Sequence, residues 1–126
     1  MRTVYLCLLG FLSFAVAGKA AAVEAENFIV DSAGDLAALC SVAPDDPLQP
    51  QALHFCHGFV VWAYHYHLKS TGGPAGSGFV CLHDPAPSRD QVIGEFVAWL
   101  GDHPAEREEE AVDALFKWAA QRFPCP

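Results

Sequence analysis

Cysteine placement constrains this chain more than any other feature of its sequence. Cys7 lies in an apolar N-terminal stretch, and four cysteines follow it, at Cys40, Cys56, Cys81 and Cys125. An even set of cysteines in a small exported chain is typical of a disulfide framework. No two of the four have the C-x2–4-C spacing of a zinc site. The pattern predicts two disulfide bonds, for which three connectivities exist.

The N-terminus has the three parts of a secretory signal peptide. Arg2 supplies the positive charge, residues 4–17 form an apolar stretch, and residues 15–17 are the first A-x-A cleavage site. The stretch is shorter than the roughly 20 residues that span a bilayer, and no stop-transfer charges follow it. We therefore expect residues 1–17 to be a cleaved signal peptide, with cleavage as late as residue 22 as the alternative. Cleavage would remove Cys7 together with the signal peptide.

The charge balance narrows the range of partners. Without residues 1–17 the chain keeps 15 acidic residues against six Lys and Arg residues, a net charge of about −9. This balance disfavours nucleic acid and anionic membrane surfaces as partners, since both call for a basic patch. The net negative charge suits a basic protein as a partner.

Capping and turn signals predict four helices. Ser32 with Asp35 three residues later resembles a capping box, and Ser88 with Gln91 repeats the pattern. We expect helices beginning near Ser32, Pro50, Ser88 and Pro104, each proline suiting a first turn. The sequence thus predicts a small all-α, disulfide-stapled domain of two helical hairpins. It would span residues 29–126, after a flexible arm at residues 18–28.

The second predicted helix is apolar around most of its circumference. One side carries a stripe at helical spacing, formed by Ala52, Cys56, Phe59, Val60, Ala63 and His67. The opposite side carries Phe55, Val61, Trp62 and Leu68 near His54, His57 and His65. Such a helix is either central in the fold or partly covered by another chain. We favour the central position, with a dimer contact as the alternative.

Hairpin geometry favours one of the three disulfide connectivities. A short turn joins the first two predicted helices, which brings Cys40 near Cys56. The third and fourth helices form the next hairpin, which brings Cys81, just before it, towards Cys125, just after it. We expect Cys40–Cys56 and Cys81–Cys125.

Catalytic and metal-binding patterns are weak in this chain. His54 and His57 are three residues apart on one helix and are the best metal candidates, but no acidic residue is placed near them. Cys56-His57 and Cys81-Leu82-His83 are the local Cys–His pairs, and their cysteines belong to the disulfide set. We therefore expect neither an enzyme nor a cofactor, and no resident metal.

Five short segments together resemble a known family. They are DLAALC at 35–40, FCHGFV at 55–60, FVCL at 79–82, WLGDHP at 99–104 and FPC at 123–125. Their order and spacing are similar to those of the Tai/Rap-type immunity proteins of bacterial type VI secretion, over residues 33–126. One departure lies at Cys81. The family often has cysteine directly after phenylalanine and a proline two residues on, whereas here Val80 intervenes and the proline is Pro85.

The resemblance implies a function as well as a fold. It implies a periplasmic, mostly helical protein, often a homodimer, that binds a peptidoglycan amidase injected by neighbouring cells and plugs its Cys–His cleft. The contact surface that we expect on this chain joins the third and fourth helices, and its residues are Asp102, His103, Glu106, Glu108, Glu109 and Glu110. The alternatives are an HdeA-like periplasmic acid-stress chaperone, another stand-alone periplasmic binding protein, and metal buffering through His54 and His57.

Overall fold

The computed structural model describes residues 21–73 and 76–126. The predicted signal peptide, Cys7 and the first residues of the predicted arm lie outside the described residues. Within them are four α-helices: α1 (Ala33–Cys40), α2 (Gln49–Ser70), α3 (Arg89–Asp102) and α4 (Ala111–Arg122). Two 3-10 helices precede α1 and α4, at Ala25–Ile29 and Pro104–Glu108. The extended backbone of the described residues pairs in a single bridge between Val80 and Pro124.

Local capping explains where the helices begin. The Ser32 side chain accepts a hydrogen bond from the Asp35 backbone N–H, and the Asp35 carboxylate accepts one from the Ser32 N–H. This reciprocal pair is the predicted capping box. Ser88 also caps α3 by accepting from the Gln91 N–H. The Gln91 side chain, however, donates to Glu95 instead of returning to the cap.

One core joins the four helices. Its largest fully buried side chains come from α1, α2, α3 and the residue that follows α4. They are Leu36, Leu39, Cys56, Phe96, Leu100 and Phe123. The apolar stripe of α4 is buried, and it consists of Ala111, Ala114, Leu115, Trp118 and Ala119. The described helices therefore pack as the 3.6-residue periodicity indicates.

Both predicted disulfides are present. Cys40 at the end of α1 is bonded to Cys56 in α2, and Cys81 is bonded to Cys125. The second bond is reinforced by the backbone, because the Cys81 N–H donates to the Phe123 carbonyl at 2.8 Å. The predicted all-α, disulfide-stapled fold is thus confirmed.

The fourth helix begins later than predicted. Pro104 opens a 3-10 helix instead of α4, and the backbone is extended at Glu109 before α4 starts at Ala111. The reason is a long-range contact: the Glu109 carbonyl accepts a hydrogen bond of 2.8 Å from the N–H of Ala33, the first residue of α1. Docking to α1 holds the chain out of helix at this point. The third helix continues through Gly101 and Asp102.

The segment before α1 packs against the domain from Val23 onward. Val23 is buried, and its N–H donates to the Asp46 carboxylate at 3.0 Å. Ala25–Ile29 then forms a 3-10 helix whose Asn27 side chain donates to Asp35. No helix in the described part of the chain is long and apolar enough to cross a membrane.

Candidate interaction surface

The last residue of α3 and the segment that leads to α4 form an acidic connector, residues 102–110, with Arg107 as its one basic residue. It contains all six residues proposed from the sequence for partner contact. Three of the six are fixed by the domain. His103 stacks on the Trp99 ring at 4.5 Å, with its Nδ1 2.8 Å from the Trp99 carbonyl oxygen. Glu106 accepts a hydrogen bond of 2.6 Å from Lys117, which also lies 3.6 Å from Glu109.

The other three residues of the acidic connector present free carboxylates. Asp102, Glu108 and Glu110 are exposed, and none forms an ion pair within residues 21–73 and 76–126. By contrast, the hydrogen bond to Glu106 raises the pKa of Lys117, so this ammonium group is paired within the domain. The acidic connector therefore leaves uncompensated negative charge facing solvent, which attracts basic surfaces.

A second surface, on α2, was not assigned from the sequence. Phe55, Phe59, Trp62 and Tyr66 recur at steps of four, three and four residues and form an aromatic stripe along the helix. Trp62 and Tyr66 are 75% and 74% exposed. The sequence contains this periodicity, but Phe59 belongs equally to the apolar stripe around Cys56. The two patterns therefore overlap and are hard to separate.

A groove joins the aromatic stripe to the acidic connector. It has a volume of about 360 Å³ and lies between Val30 and Asp31 on one side and Glu110 and Val112 on the other, with Phe59 between them. Phe28 packs edge-on against Phe55, with ring centroids 5.7 Å apart. The 3-10 helix before α1, the aromatic stripe and the start of α4 therefore form one face of the molecule.

An apolar cleft lies on another side of α2, between this helix and α4. Its volume is about 210 Å³, and its walls are almost entirely apolar. Val61 and Tyr64 of α2 face Phe116 and Ala119 of α4, and Leu82 contributes from the connecting segment. Because no carboxylate lines the cleft, it is suited to an apolar group.

The histidines that were weak metal candidates do not gather further ligands. His57 Nε2 is shielded from solvent and lies 3.1 Å from the Asp90 carboxylate oxygen, close but not aligned for a hydrogen bond. His54 is exposed. Within the described residues there is no group of three or more side chains of the kind that hold a metal ion.

The two local Cys–His pairs lack a free thiol. Cys56 and Cys81 are both consumed in disulfides, and a thiolate is what nucleophilic catalysis by cysteine requires. His67, on the buried side of α2, has a structural role: it is 5% exposed and its Nε2 accepts the Val80 N–H at 3.4 Å. These side chains support the fold.

Stapled helices, an acidic connector and an exposed aromatic stripe define a small binding domain. The family model of the Rap1a immunity proteins matches residues 32–125, well over half of the chain. The chain therefore belongs to the Rap1a immunity protein family, as the five short segments had indicated. No curated protein and no solved structure gives a significant match.

Proposed function

We propose that this chain is a periplasmic immunity protein that binds and occludes a peptidoglycan amidase delivered by type VI secretion. Membership of the Rap1a immunity protein family supports the general role, protection against a secreted effector. The amidase target follows from the resemblance of the five segments. The chain acts by binding alone, without chemistry of its own.

The observation that carries this proposal is the acidic connector. Asp102, Glu108 and Glu110 present exposed carboxylates within the acidic connector, in a chain whose net charge is −8. Complementary charge speeds the encounter of two proteins and selects against wrong partners. An acidic segment of this kind suits a basic rim around an amidase cleft.

Inhibition of a purified amidase tests the proposal. The enzyme to use is one encoded beside the gene for this chain, with peptidoglycan hydrolysis measured with and without the chain. We expect stoichiometric inhibition by the wild-type protein. The double variant Glu108→Lys, Glu110→Lys is expected to associate more slowly and with less dependence on salt, because rim charges act mainly on the association rate.

The double variant Asp45→Lys, Asp84→Lys is the matched control, since it makes the same change in net charge at two exposed carboxylates outside the acidic connector. It is expected to leave association with the amidase unchanged. Full amidase activity in the presence of excess wild-type chain would contradict the proposed target. Equal association rates for the two double variants would remove the acidic connector from the contact.

We extend the proposal to a homodimer, which the resemblance implies. The apolar cleft between α2 and α4 supports it, because apolar side chains make up nearly all of its lining, with Arg89 as its one Lys, Arg, Asp or Glu residue. Light scattering should give the mass of two chains for the wild type and of one chain for Val61→Glu. A single-chain mass for the wild type would contradict the homodimer.

Export to the periplasm belongs to the same proposal. It is supported by the two disulfides, because such bonds persist in oxidising compartments. Mass spectrometry of the protein recovered from a periplasmic fraction would locate the cleavage site, which we expect after Ala17 or as late as Ala22.

A further inference from the structure

Exposed apolar side chains are concentrated on one face of this molecule. The described residues leave six large apolar side chains exposed, and four of them lie on or beside the aromatic stripe: Phe55, Trp62, Tyr66 and Val112. A fifth, Ile29, follows Phe28, whose ring packs against Phe55. Soluble proteins rarely expose contiguous apolar patches unless the patch meets another molecule. Tryptophan and tyrosine are also the residues that most often dominate binding energy at interfaces.

The border of this face is negatively charged. Asp31 and Glu110 line the groove beside Phe59, and no lysine or arginine lines it. Asp113 is exposed next to Val112, and Glu26 is exposed in the 3-10 helix that carries Ile29. Lys69, at the end of the aromatic stripe, is the basic residue on this helix face. An apolar centre with a mainly acidic border favours a partner segment with a large apolar side chain flanked by positive charges.

A second copy of this chain fits this face poorly. In a two-fold dimer the same patch meets itself, so the acidic border of one copy would lie against the acidic border of the other. Like charges brought together in this way oppose association. A basic protein meets no such penalty.

We infer that the aromatic stripe and its adjoining groove are the main docking site for the effector, which inserts an aromatic or large aliphatic side chain flanked by lysine or arginine. This inference rests on the proposed function and assigns its energetic centre to α2, with the acidic connector as its charged border. Trp62 and Tyr66 supply most of the affinity, and Asp31 and Glu110 read the flanking charges.

Binding of the inhibited amidase to single-residue variants tests the inference. Trp62→Ala is expected to raise the dissociation constant at least about 30-fold, as truncation of a central interface residue does. Tyr66→Ala is expected to have a smaller effect in the same direction. Phe79→Ala is the matched control, because Phe79 is half exposed but lies off this face, against His67 and Phe116.

Each variant is checked for an unchanged thermal transition before its affinity is compared. Trp62→Ala binding as tightly as the wild type would overturn the inference while leaving inhibition, and hence the proposed function, intact. A change in oligomeric mass for Trp62→Ala with unchanged affinity would assign the face to a second copy and overturn it as well.

A peptide probe tests the surface without any amidase. We expect a short synthetic peptide of alternating lysine and phenylalanine residues to shift the NMR amide signals of residues 29–31, 55–66 and 110–112. A peptide with glutamate in place of lysine should leave these signals unmoved. If neither peptide perturbs them, or both do so equally, the charge argument fails. If no amidase is inhibited, the proposed function fails. The peptide result still shows whether this surface binds an apolar segment flanked by positive charges.

Discussion

At the scale of single residues, His67 shows how a polar group is kept in an apolar core. Among the described residues it is the one polar side chain in the buried set. Its ring packs against Phe79 and Phe116, with centroids 4.5 and 5.2 Å away. Its Nε2 accepts the Val80 N–H at 3.4 Å. The histidine thereby satisfies a backbone donor that the fold buries.

Replacing His67 tests this role. His67→Phe keeps an aromatic ring but leaves the Val80 N–H without its acceptor, and a buried unsatisfied donor costs about 1–3 kcal/mol. We expect the free energy of unfolding, measured in urea, to fall by that amount. His54→Phe, on the exposed side of the same helix, should change it by no more than about 0.5 kcal/mol. Equal transitions for the two variants would show that the hydrogen bond contributes nothing.

Asp35 predicts a pH dependence of stability. Burial tends to raise the pKa of its carboxyl, but the hydrogen bonds that it accepts from Asn27 and Ser32 outweigh burial and hold the pKa below 3.8. Since the folded pKa lies below the unfolded one, Asp35 stabilises the fold above about pH 4, and this contribution is lost as the pH falls through the folded pKa.

A comparison with Asp35→Asn isolates this contribution. The difference in unfolding free energy between the wild type and Asp35→Asn should be constant above about pH 5 and should shrink as the pH falls below about 4. Asp45→Asn is the control, because Asp45 is exposed and makes no hydrogen bond to the described residues. A difference that does not vary with pH would contradict the assignment.

At the scale of elements, the sequence predicted best what is decided locally. The Ser32 cap and the Ser88 cap depend on residues within one turn of each other, and both are present. The start of α4 depends instead on Glu109 meeting Ala33 across 76 residues, which no local pattern encodes. The aromatic stripe was anticipated only in part: Phe55 and Trp62 were placed on an apolar side of the helix, but a central position was favoured, since an exposed apolar stripe resembles a buried one in sequence.

Two glycines inside helices, Gly58 in α2 and Gly94 in α3, allow a test of helix stability. A methyl group added at Gly58 in α2 or at Gly94 in α3 would meet no atom within 4 Å. Glycine inside a helix is less stable than alanine by about 0.5–1 kcal/mol. We therefore expect Gly58→Ala and Gly94→Ala each to raise the unfolding free energy by about this amount. A loss of stability in either variant would contradict the open space around that glycine.

At the scale of the whole molecule, each disulfide closes its own part of the fold. Cys40–Cys56 spans 16 residues and ties α1 to α2, and Cys81–Cys125 spans 44 residues and ties the segment before α3 to the segment after α4. Loop-closure entropy gives about 3 kcal/mol for the shorter loop and about 4 kcal/mol for the longer one. These values are large beside the 5–15 kcal/mol that stabilises a typical domain.

Removing each pair of cysteines measures these contributions separately. We expect Cys40→Ala with Cys56→Ala, and Cys81→Ala with Cys125→Ala, each to lower the unfolding free energy by about 3–4 kcal/mol. Urea unfolding with and without a reducing agent provides the comparison. A wild-type transition that reducing agent leaves in place would show that the core alone maintains the fold.

The exposure of Trp62 and Tyr66 has a consequence for how such a protein changes over generations. Their side chains contribute little to the core, and exposed positions of this kind tolerate substitution at small cost in stability. The cysteines and the buried side chains preserve the architecture independently of them. Under the inferred docking on α2, specificity for the effector can therefore be changed by a few substitutions, while the scaffold beneath them stays the same.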